Sequence, residues 1–223
     1  MSATDDVIRK IAGQASPVRP LPSPWLRAML WLVVALCYAG VMVLMMSPRP
    51  DLTEVLARPE FQIEQLAALA TAFTAAVAAL SGTIPGRGRW MLLLPLAPLA
   101  LWLGSVAWSS APDWTGSGLQ DVMLRPDWMC FPAIVAVGAL PACLLVSMLR
   151  RGAPLTPCTT VGLGVLAAAA IGDVGLRFFH VQDVRLMILA WQLGSVAVLV
   201  ALASCMGRYL FKWRHQRIQE AAE

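Results

Sequence analysis

Four side chains in the second half of the sequence carry reactive or charged groups in apolar surroundings: Cys130, Asp173, Arg177 and His180. Asp173 and Arg177 are four residues apart, so a helix sets them on one face as a carboxylate–guanidinium pair. Counting inward from Phe179 at about 1.5 Å per residue puts Asp173 roughly 9 Å below a membrane surface. An ionised carboxylate at that depth is costly without a partner, and Arg177 is the nearest candidate. Two readings stand. One is a structural ion pair that reaches toward outer water. The other is a proton or ligand site in a small transporter or channel built from Asp173, Arg177 and His180, although one pair with no second acidic helix makes a poor pathway.

The five cysteines, at positions 37, 130, 143, 158 and 205, form no CxxC and no Cys/His cluster with zinc spacing. Their number and the chain length exclude a disulfide-stapled scaffold. Cys37 and Cys143 fall inside apolar blocks and read as small apolar residues. Cys158 and Cys205 fall on the reducing side. Cys130 alone sits at the outer end of an apolar block, where oxidants and thiophilic metals reach it, with His180 on the same side. Alkylation of intact cells is expected to label Cys130 first. A single Cys with a single His falls short of a metal-ligand set. There is no HExxH, GxSxG or Walker loop, and His180 and His215 are isolated from each other. No catalytic residue, metal or cofactor is expected, and an enzyme is excluded.

The elements that must position these groups are set by composition. Of 223 residues, 58% are apolar and 13% charged, with mean hydropathy +0.68, against roughly 25% charged in soluble domains. The apolar residues exceed what a 24.0 kDa globule can enclose, so lipid must cover many of them. A spanning helix needs about 20 mostly apolar residues. Six blocks qualify: Ala28–Met46, Leu66–Ile84, Trp90–Trp108, Cys130–Leu149, Thr159–Phe179 and Leu186–Met206. The fold class is therefore an all-α membrane protein, a six-transmembrane-helix bundle. No cleavable signal peptide is visible.

Orientation follows from the basic residues. With both termini inside, the inner segments hold Arg9, Lys10, Arg19, Arg27, Arg87, Arg89, Arg150, Arg151, Arg208, Lys212, Arg214 and Arg217, twelve of the seventeen. Cytoplasmic loops carry the Lys/Arg excess, so N-in and C-in is favoured. The same pattern, clusters between apolar blocks, argues against a direct nucleic-acid partner despite the net charge of +4. Trp25, Trp90 and Trp213 mark the inner interface and Trp108, Trp114 and Trp128 the outer one. Trp31, Trp102 and Trp191 read as packing residues. The first outer loop, Ser47–Gln65, suits a short helix on the membrane surface; the second, Ser109–Met129, reads as irregular.

Three regions result: a cytoplasmic arm and Pro-rich linker at 1–24, the six-helix domain at 25–206, and a basic tail at 207–223. In the arm, Ser2 or Thr4 can cap a short helix, Asp5 and Asp6 suit its positive end, and Gly13 can end it. Val7, Ile8 and Ile11 share a face. The arm is either a disordered tail or a docking helix for a cytoplasmic partner. Thr160, Gly164, Ala168 and Gly172 recur every four residues, a seam for close helix packing. Pro95, Pro98, Pro132 and Pro141 interrupt the third and fourth blocks.

In order along the chain, Asp6-Val-Ile-Arg, Pro17-Val, Arg27 with Trp31, Trp128-Met-Cys130, Pro141, Leu149-Arg-Arg-Gly-Ala-Pro154 with Pro157, Gly162, the Ala-rich fifth block, His180 and Trp191 resemble the NrsF family of membrane anti-sigma factors. The resemblance spans essentially the whole chain. Its most specific parts are the Arg-Arg-Gly-Ala-Pro loop and the Cys130/His180 spacing. It implies an inner-membrane protein that sequesters an extracytoplasmic-function (ECF) sigma factor through the arm, with Asp5, Asp6, Val7, Ile8 and Ile11 as the binding residues. It further implies release on oxidative or heavy-metal stress sensed at the outer face, with Cys130 and His180 as sensing residues. The family motif has a cysteine directly after the histidine, where this chain has Val181. The family's disulfide between those positions cannot form here.

Overall fold

The computed structural model describes residues 3–14, 21–84, 86–114, 129–152, 156–180 and 188–210. The described residues are helical apart from their connections. They form α1 (Ala3–Gln14), α2 (Pro24–Met45), α3 (Leu52–Leu56), α4 (Pro59–Ser81), a 3₁₀ turn (Arg89–Leu93), α5 (Leu96–Trp114), α6 (Cys130–Leu149), α7 (Pro157–Phe179), a π-helical turn (Ile188–Leu193) and α8 (Gly194–Leu210). Five of these, α2, α4, α5, α6 and α7, are long and apolar enough to cross a membrane; α8 belongs to a shorter apolar stretch, Trp191–Gly207.

Several helix starts follow from local chemistry. Ser23 accepts the Leu26 N–H at the head of α2, and Pro24 occupies the first helical position, where no N–H is needed. Pro59 and Pro157 open α4 and α7 in the same way. The fourth block is helical over its expected bounds, whereas the third is divided. Pro95 separates the 3₁₀ turn from α5, because proline withholds an N–H from the preceding turn.

The least apolar spans, α4 and α7, are the most buried, while α2 and α5 turn most of their surface outward. Small residues explain this. Without a hydrophobic drive between helices in lipid, close backbone approach supplies the packing, and Ala and Gly permit it. The expected seam of α7 is in place against α6. A Cβ on Gly172 would stand 2.5 Å from the Ile134 carbonyl oxygen, and one on Gly138 would stand 3.0 Å from the Ala168 carbonyl oxygen. This antiparallel register, carried on by one turn, sets Cys130 level with Leu176.

Three side chains of α2 hydrogen-bond to main-chain carbonyls of α6. Arg27 Nη2 reaches Met148 at 2.6 Å, Trp31 Nε1 reaches Pro141 at 2.8 Å, and the Tyr38 hydroxyl reaches Ala136 at 3.0 Å. Trp31 and Trp102 are buried, as packing residues should be, and Trp25, Trp90 and Trp108 are exposed.

The largest departure from expectation concerns the first outer loop. Instead of a 19-residue loop holding one surface helix, α3 takes only five residues and α4 begins at Pro59, seven residues ahead of the expected span. Glu64 and Gln65 thereby enter the bundle, where both are buried. The reason is tertiary for Glu64, whose partners Arg177 and Ser109 come from other helices. The second outer loop is also shorter at its start, since α5 continues to Trp114. Its residues 115–128, the spacer 15–20, Val181 and Arg185, and the tail from 211 onward lie outside the described residues.

Candidate functional site

Contacts between helix ends divide the bundle into two ends. At one, Gly82 meets Thr160, Gly152 meets Thr83, Gly207 meets Pro157 and Cys158, and Arg27 meets Met148. Arg87, Arg150 and Arg151 are exposed here. A pocket of about 160 Å³ between Ser81, Met91 and Thr156 carries a single charge, Arg87.

At the opposite end lies a buried ionic node. Arg177 Nη2 is 3.0 Å from Glu64 Oε2, joining α7 to α4. Ser109 of α5 donates its hydroxyl to Glu64 Oε1 at 2.9 Å, with the Val106 carbonyl as its alternative acceptor at 3.0 Å. The Arg177 guanidinium lies over the Phe61 ring, 5.3 Å from its centre, and Phe61 meets Phe178 edge-on at 5.9 Å. A cation over an aromatic face gains most where water is excluded. Three helices thus converge on one carboxylate.

The expected pairing of Asp173 with Arg177 is not the one found. Asp173 is 2% exposed, its Oδ1 has no hydrogen-bond partner among the described residues, and the ion pair of Arg177 goes to Glu64 instead. Sequence reasoning missed Glu64 because hydropathy alone begins the second span after it, at Leu66. The available signal was its placement one turn beyond Phe61 and next to a 16-residue run of small and apolar residues, Leu66–Ser81.

The connector between α2 and α3 closes this end. Ser47 adopts φ +65°, the left-handed conformation that commonly terminates helices. The Arg49 N–H then bonds the Phe178 carbonyl at 3.0 Å. The Arg49 side chain grips Asp51 with two bonds of 2.6 and 2.7 Å, a bidentate charge-assisted pair. That guanidinium holds the Asp51 carboxyl below the usual carboxylate range.

Cys130 and His180 belong to this same end, Cys130 as the first residue of α6 and His180 as the residue capping α7. The expectation that Cys130 is the reachable thiol is overturned: it is 0% exposed, whereas Cys37, Cys143, Cys158 and Cys205 are all exposed. Packing of α6 against α7 covers it. His180 is half-buried. Among the described residues, no three His, Cys, Asp or Glu side chains are placed to hold a metal.

The arm forms the helix expected of it, with Asp5 and Asp6 in its first turn. Val7, Ile8 and Ile11 are 56, 59 and 65% exposed, an apolar face left open among the described residues.

Among known families, the model described as NrsF, negative regulator of sigma F, matches residues 11–213. Residues 3–10 of α1 precede the matched region. No curated protein and no solved structure matches the chain.

Proposed function

Because the chain belongs to the NrsF family of negative regulators of sigma F, it is a membrane anti-sigma factor and not an enzyme, and from this premise we propose how it holds and releases its sigma factor. The partner is an ECF sigma factor, bound on the cytoplasmic side by α1 through Asp5, Asp6, Val7, Ile8 and Ile11. The observation that carries this reading is the bare apolar face of α1. A soluble helix leaves such a face open where a partner groove covers it.

In this reading the chain crosses the inner membrane six times with both termini cytoplasmic. Support for the sixth crossing is the unbroken helical run from Ile188 to Leu210. At about 1.5 Å per residue it is of the order of the roughly 30 Å hydrocarbon thickness. Support for the orientation is that Arg27, Arg87, Arg150 and Arg151 gather at one end of the bundle, as the Lys/Arg bias of cytoplasmic loops requires. The ionic node, Cys130 and His180 then face outward. Oxidative or heavy-metal stress acts at that end, through Cys130 and His180 once the α6–α7 contact loosens, and releases the sigma factor.

Co-purification tests the arm directly. The full chain in detergent should retain an ECF sigma factor from its own organism, and a chain lacking residues 1–15 should lose it. Retention by the shortened chain would move the binding surface to the inner loops. No observation favours the transporter or channel reading of Asp173, Arg177 and His180.

A further inference from the structure

We propose that Arg177 is a two-position latch: it pairs with Glu64 of α4 when the outward end of the bundle is closed, and with Asp173 of its own helix when that end opens. The link from this latch to sigma release rests on the function proposed above.

One guanidinium faces two carboxylates, and Arg177, Glu64 and Asp173 are 9, 5 and 2% exposed. Among the described residues Glu64 alone forms an ion pair with the guanidinium, at 3.0 Å. Asp173 stands one helical turn inward on the face of Arg177, with Oδ1 buried and unpartnered. Buried polar atoms in native proteins are nearly always hydrogen-bonded, so an orphan among them calls for an explanation.

The geometry offers one. A long side chain on a helix leans back toward the helix N-terminus, onto the residue four positions earlier. For Arg177 that residue is Asp173. The natural direction of the arginine therefore leads to the orphaned carboxylate, and Glu64 holds it away. Each arrangement gives one carboxylate the charge-assisted bond, and Glu64 keeps the Ser109 hydroxyl in both.

They differ in what they connect. With Glu64 engaged, Arg177 ties α7 to α4, and Glu64 ties both to α5 through Ser109. With Asp173 engaged, α7 is satisfied within itself and the three-helix tie is gone. Phe61, which meets Phe178 edge-on, loses the cation above its ring. Arg49 does not compete for either carboxylate, since Asp51 holds it with two bonds. A one-turn swing of one side chain thus unties α7 from α4 and α5. Such discrete exchange between two packed arrangements is how small local changes become large ones.

Amide hydrogen exchange on the full chain in lipid nanodiscs tests the latch without any partner. Glu64→Gln weakens the closed arrangement, so exchange in residues 59–66 and 106–110 should rise at least threefold. Asp173→Asn removes the alternative, so exchange there should stay at the wild-type level or fall. Equal rises in both variants, or no rise in Glu64→Gln, overturn the latch. If Glu64→Gln does not fold, Ser109→Ala takes its place, and absence of any rise overturns the latch equally. Retention of the sigma factor is measured in parallel at equal membrane abundance. Less retention by Glu64→Gln than by Asp173→Asn links the latch to release; equal retention with the expected exchange pattern breaks that link. Failure of the wild type to retain any sigma factor overturns the binding function instead, and the exchange result still decides the latch.

Discussion

Cys130 shows how far a single residue's environment departs from its position in the sequence. Its place at a span boundary suggested access, yet the α6–α7 seam encloses it completely. In detergent micelles, maleimide should modify Cys158 and Cys205 rapidly and Cys130 only after unfolding, read by mass spectrometry of tryptic peptides. Rapid modification of Cys130 would show that α6 and α7 part readily at this end. Asp51 makes a different point. Its Arg49 partner lowers its carboxyl below the ordinary value of 3.8, so the folded connector binds the ionised form preferentially. The resulting stabilisation is present above pH 3.8 and is lost as pH falls through the lowered folded value. An acid titration of the connector, followed by an NMR label on Asp51, should show a midpoint below 3.8 in the native chain and a higher midpoint in Arg49→Gln.

At the scale of elements, what the sequence made legible was what local composition controls. The bounds of α6 are those of its apolar block, and α7 starts only two residues ahead of expectation because Pro157 can occupy a first turn. The seam along α7 was also readable, since a four-residue recurrence of small side chains has one geometric meaning. The start of α4 was not. Glu64 and Gln65 look like loop residues until Arg177 and Ser109, 113 and 45 positions away, are known to meet Glu64. The pairing of Arg177 failed to be legible for the same reason. The seam yields a paired test. Gly172→Ala forces its Cβ against the Ile134 carbonyl and should destabilise the bundle by about 1–3 kcal/mol. Gly40→Ala on α2 and Gly104→Ala on α5 meet nothing within 4 Å and should be neutral or stabilising. Denaturation of the four proteins in mixed micelles separates these outcomes, and a neutral Gly172→Ala would mean that α6 and α7 are not in contact at this position.

For the whole molecule, composition alone established a lipid-covered helical protein, and the family match supplies the regulatory role. The arrangement of small-residue helices inside and strongly apolar helices outside has a consequence for biosynthesis. The α4 segment, weakly apolar and carrying Glu64, reaches the insertion machinery well before its guanidinium partner on α7 has been translated. It is therefore expected to wait beside the translocon until synthesis passes residue 179. A nascent chain arrested near residue 150 should leave α4 incompletely inserted, exposed to added protease and short-lived. Extension through Phe179 should rescue it, and rescue should fail when the extended chain carries Arg177→Leu. Stable insertion of α4 in the arrested chain would show that it needs no later partner. The first half of this protein is thus a client of the second, completed only when synthesis delivers its counter-charge.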